Sequence, residues 1–148
     1  MAFYGQSGKI TGYIKDSDQS IVNEATTYET VDGLTFPVQP NTKYFVLYNF
    51  IGTRASDSGA INIMFSVPSG ATMQYDRGAV SGDAAVKGAG DMLYWGFSVA
   101  DPTRMYAVAA YIENGSNTGV VSVTFKQHSA DAVTTTICAG STALVIRQ

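Results

Sequence analysis

The residues able to change protonation, attack a carbon centre or hold a metal are few and scattered. His128, the single histidine, stands with Ser129 and Asp131, the residue types of a hydrolytic triad. A triad works through spatial geometry, with an exposed nucleophile and an oxyanion hole, and close neighbours on a strand end point apart. No Gly-x-Ser-x-Gly elbow occurs to supply that geometry. Asp16-Ser-Asp-Gln-Ser20 has the alternating oxygens that open a calcium loop, but the sixth position is Ile21 rather than Gly and the twelfth is Thr27 rather than Glu. A solvated turn is the better reading. A glycosidase needs two carboxylates at a fixed separation. Glu24, Glu29 and Glu113 are the only Glu residues, and the Asp residues fall almost all in turn contexts, where they satisfy local backbone donors. Gly88-Ala-Gly90 is too short for a dinucleotide fingerprint. Cys138 sits in an apolar strand pattern and reads as a small hydrophobe. No convergent set of titratable groups emerges, so no enzymatic activity, catalytic residue, metal or cofactor is expected.

Composition narrows the classes further. A chain of 148 residues with 45% hydrophobic residues is the size of one domain and can bury a core without staples. Formal charge is −3, which provides no broad basic field for nucleic acid. One cysteine cannot form an internal disulfide. The first residues, Met-Ala-Phe-Tyr-Gly-Gln, show neither the basic nor the apolar segment of a secretory leader, and synthesis and folding in a cytoplasm are expected. No run approaches the ~20 apolar residues of a membrane span.

The elements that would position any site read as strands. Leu34, Phe36 and Val38 alternate, and Pro37 between them belongs on a sheet edge because it cannot donate to a ladder. Lys43–Ile51 is apolar on both faces, which predicts a central strand covered on both sides. Ile61, Ile63, Phe65 and Val67 alternate with Asn62, Met64 and Ser66 as a half-buried strand. Further strands are predicted over 26–31, 71–75, 92–99, 105–112, 120–125, 133–137 and 143–146, with 76–91 the longest loop. Turn signals recur about every ten residues and no 3.6-residue period is sustained. The fold expected is an all-β antiparallel sandwich, jelly-roll-like, over residues 26–148. Residues 1–25, interrupted by Gly5, Gly8 and Gly12, fit either an extended N-terminal arm or a first edge strand.

Three stretches carry a resemblance. Thr30-Val-Asp-Gly-Leu-Thr-Phe-Pro-Val-Gln-Pro-Asn-Thr-Lys-Tyr-Phe-Val-Leu-Tyr-Asn-Phe50 resembles a pattern common in virion proteins of tailed bacteriophages. Ile63-Met-Phe-Ser-Val-Pro-Ser-Gly-Ala-Thr72 resembles their next strand and turn, and Thr135-Thr-Ile-Cys-Ala-Gly-Ser-Thr-Ala-Leu-Val-Ile-Arg147 their closing strands. Together these cover most of residues 26–148. The resemblance implies a small all-β module that decorates heads or builds tail and fibre parts, and it transfers no catalytic residue. It also implies the major capsid protein as partner, a virion location on the capsid surface, and a homo-oligomer, in particular a trimer. The alternative it leaves is a tail or fibre module that binds a host surface glycan or another virion protein.

The residues add candidate contacts. Phe3, Tyr4, Ile10, Tyr13 and Ile14 offer apolar anchors on a Gly-loosened segment, and Tyr94 and Trp95 follow the longest loop. These seven are the expected partner interface.

Overall fold

The structure is a computed structural model describing residues 8–23, 25–54, 59–76, 87–97 and 103–148. Its strands are β1 (Ile10–Ile14), β2 (Gln19–Ile21), β3 (Glu29–Thr30), β4 (Phe36–Val38), β5 (Lys43–Arg54), β6 (Gly59–Ser66), β7 (Thr72–Asp76), β8 (Lys87–Gly88), β9 (Met92–Phe97), β10 (Thr103–Glu113), β11 (Gly119–Gln127), β12 (Thr135–Ile137) and β13 (Thr142–Arg147). All pairings are antiparallel.

Two sheets form a sandwich. The first runs β1-β13-β5-β10-β7-β8, with β2 and β12 continuing it beside β5. The second runs β3-β11-β6-β9, with β4 also on β11. The principal strands enter in the order β1, β4, β5, β6, β9, β10, β11, β13 and give neighbour orders β1-β13-β5-β10 and β4-β11-β6-β9. That is the layout of a jelly roll, two interlocked Greek keys. The β7–β8 hairpin is an addition that widens the first sheet.

The alternations seen in the sequence place the core. Tyr44, Val46, Tyr48 and Phe50 of β5 face Ile61, Ile63 and Phe65 of β6 and Val121, Val123 and Phe125 of β11, all buried. Tyr48, Phe50, Phe65 and Tyr75 form an aromatic chain with centroids 4.9 to 6.4 Å apart. Pro37 lies on β4, which among the described strands pairs only with β11, as its missing N–H requires. Gly33 and Gly140 turn the chain at φ +80 and +84, where a side chain would be strained.

Two expectations are corrected, and between arm and edge strand the chain from Gly8 to Asn23 takes the edge-strand form. It supplies β1, paired along β13 from Ile10↔Ile146 to Ile14↔Thr142, and β2, paired with β12. Buried Lys15 fastens this segment: its Nζ donates to Gln19 Oε1 at 3.1 Å, and Gln19 Oε1 also accepts from Asp32 N at 3.0 Å. The strand predicted over 26–31 shrinks to the two residues of β3, paired with Phe125 and Thr124. β5 is central but not covered on both sides. Its second face, with Phe45, Leu47, Asn49 and Ile51, is half-buried or exposed, because no described element packs over that sheet.

Candidate interaction face

In antiparallel pairs, residues directly opposite share a sheet face, so the register maps the outer surface of the first sheet. One row reads Ile10, Ile146, Phe45, Tyr111. The next reads Gly12, Leu144, Leu47, Ala109, and the next Ile14, Thr142, Asn49, Ala107. Ile51 and Met105 stand opposite each other beyond them. Ile10, Ile14, Leu47, Met105 and Leu144 are 62%, 59%, 41%, 67% and 38% exposed. The small residues Ala107 and Ala109 floor a shallow depression of about 420 Å³ among Leu47, Asn49, Thr142 and Leu144. On these four strands the outward charges are Lys43 and Glu113, side by side at one end with Nζ 3.5 Å from Oε1. A hydrogen bond with the Tyr111 hydroxyl, then the Glu113 charge, pushes the Lys43 pKa up.

The expected contact residues divide over this geometry. Ile10 and Ile14 lie on the face. Tyr13, between them on β1, points the other way and is half-buried against Phe36, with ring centroids 5.5 Å apart. Trp95 is corrected to a core residue: it is 3% exposed and its indole stacks on Tyr106 at 5.4 Å. Gly52 on β5 makes the room, since a Cβ there would come within 2.5 Å of the Trp95 ring. Tyr94, its neighbour, alternates outward on the second sheet and meets His128 edge-on at 5.0 Å. Phe3 and Tyr4 lie outside the described residues.

His128, Ser129 and Asp131 do not converge. His128 Nδ1 lies 3.2 Å from Asn62 Oδ1 on the outside of the second sheet. Asp131 turns to a different partner, Arg54, which is 2% exposed. Partial burial raises the Asp131 pKa, but hydrogen bonds from Arg54 and Val133 N–H and the Arg54 charge outweigh it and hold the carboxyl below its ordinary range. Arg54 also donates to Thr135 Oγ1 at 2.9 Å, so the group is a structural clip. Among the described residues no three His, Cys, Asp or Glu side chains gather as a metal set. Burial pushes the half-buried Cys138 thiol up, against a weaker lowering by Thr53, which disfavours the reactive thiolate.

Sequence reasoning missed Leu47, Leu144, Met105, Phe45, Ile51 and Ile146 as surface residues. The signal was present in β5, whose outward positions are as apolar as its inward ones, but it reads equally well as burial on both sides. Arg54 was legible by parity, for it shares the inward face of Tyr44 through Phe50.

No family model and no curated protein matches the sequence. Among solved structures, the chain is similar to that of the infectious bursal disease virus Gt strain, at 10% identity and a TM-score of 0.32, over 97% of this chain and 38% of the other. It is also similar to the VP2 subviral particle of infectious bursal disease virus, at 9% identity and a TM-score of 0.30, over 96% of this chain and 40% of the other. The chain thus spans well under half the length of these structures. Likeness at that level assigns no role to it.

Proposed function

We propose that this protein is a non-enzymatic structural component of a bacteriophage virion, a capsid decoration or cement protein that bridges neighbouring major capsid subunits. The observation that carries the reading is the outer face of the first sheet: contiguous and apolar across β1, β13, β5 and β10, with Lys43, Glu113 and Asp76 at its margins. Such a face on a stable sandwich is a surface for protein contact. A jelly roll serves capsid proteins and lectins alike, so the fold by itself does not choose between them. The bacteriophage setting, the capsid partner and the trimer come from the resemblance of residues 30–50, 63–72 and 135–147. A cement protein acts by binding only the assembled shell, a mass-action stabilisation. In this reading it takes no cofactor, nucleic acid or membrane.

The alternative, a tail or fibre module that binds a host glycan, has one observation in its favour. A polar hollow of about 470 Å³ opens among Asn41, Lys43, Gly70, Thr72, Glu113, Asn114 and Gly115 at the loop end of the sandwich. Quantitative gels and cryo-EM of purified virions separate the two. Many copies on the head support decoration, and a few copies at the tail sink it.

A further inference from the structure

We infer that the outer face of the first sheet, built on Ile10, Ile14, Leu47, Met105 and Leu144, is the contact through which a second copy of this chain docks. This rests on the self-association in the proposed function but changes its form, since a self-complementary contact closes as a two-fold dimer and not as a trimer. Three observations select a second copy over other occupants.

The first is charge. An identical partner presents the same charges, so a strongly signed face would repel its copy. On β1, β13, β5 and β10 the central rows carry none, Lys43 and Glu113 at the end neutralise each other at 3.5 Å, and Asp76, opposite Ala109 on β7, puts an acid at the rim of the face. The second is relief. Met105 is the most exposed large apolar side chain among the described residues, and two residues along its strand lies the depression floored by Ala107 and Ala109. One copy therefore holds both the knob and the hollow that a self-complementary contact requires. The third is area. Four strands ~4.8 Å apart, over seven residues rising ~3.3 Å each, give a plan area of roughly 400 Å² per copy. Two such faces remove on the order of 800 Å² before side-chain relief and the rim are counted, below the ~1,200 Å² at which specific interfaces begin and in the range of weak contacts. The contact is thus reversible, populated at high local concentration.

The test is sedimentation equilibrium of the full chain from about micromolar to about millimolar, the range in which small interfaces associate. The expected result is a concentration-dependent oligomer. Leu47→Asp and Met105→Asp each weaken it at least tenfold with an unchanged circular dichroism spectrum and melting temperature. Tyr94→Asp, on the opposite face, leaves it intact. A monomer at every concentration overturns the inference, as does an oligomer that both substitutions spare. An oligomer that forms only when residues 2–7 are deleted also overturns it, and gives the face to the chain's own first residues. Binding to purified capsids is measured in parallel. Monomers that bind shells sink this inference alone, and oligomers that ignore shells sink the decoration reading alone.

Discussion

Arg54 and Asp131 show how a charge is kept inside a β-sandwich. A guanidinium 2% exposed needs a carboxylate and hydroxyl acceptors, and Asp131 and Thr135 supply them. Asp131 titrates below its unfolded value of about 3.9, so its contribution is complete above that pH. It is lost as pH falls through the lower folded value. Urea titrations are therefore expected to show stability dropping below about pH 4, with a shallower drop in Asp131→Asn. At neutral pH that variant is less stable, by less than the ~3–5 kcal/mol of fully buried pairs, because Asp131 retains solvent. An equal acid slope in both proteins would rule this pair out as the cause. Tyr48 is the opposite case. Its hydroxyl is buried without a hydrogen-bond partner among the described residues, and burial drives its pKa far above the ordinary 10.0. Tyr48→Phe removes a desolvated group that gains nothing in return. Chemical denaturation should find it equal to the parent or about 1 kcal/mol more stable.

At the scale of elements, period-two alternation made most of the fold legible. Ile61, Ile63 and Phe65 faced inward as their spacing required, and Pro37 stood on an edge strand. What alternation does not encode is whether a covering layer exists. The apolar outward residues of β5 have the same spacing whether a second sheet, a partner or water lies above them. The same limit misplaced Trp95: its parity with Leu93 and Phe97 was readable, but the space made by Gly52 across the sandwich was not. That space yields a prediction. Gly52→Ala pushes a Cβ into the indole and is expected to cost about 1–3 kcal/mol by thermal melts. Trp95→Ala costs about 3–5. By contrast, Ile10→Thr and Ile14→Thr sit on an exposed face and should shift stability by no more than about 0.5 kcal/mol. If they destabilise strongly, the face is covered within the monomer.

At the scale of the molecule, the chain closes on itself. β1 pairs with β13 and β2 with β12, so the first and last strands of the described chain complete one sheet. Such long-range pairings are slow to form, and folding in milliseconds to seconds is expected in stopped-flow experiments. Deleting residues 2–15 strips β1 from β13 and removes Lys15, together with the Tyr13 ring on Phe36. The truncated chain is expected to melt well below the parent, while an unchanged melting temperature would return β1 to the status of an optional arm.

The pairing of β1 with β13 also decides how the molecule bears force. Ile10 lies opposite Ile146, and Arg147 N donates to Lys9 O at 3.0 Å, so the two outer ends of the ladder leave from the same corner. Tension applied between them peels the antiparallel bonds one after another, as a zipper opens, rather than shearing them together. A load entering through the broad sheet face instead spreads over β13, β5 and β10 at once. Pulled by its ends, the protein should yield at low force.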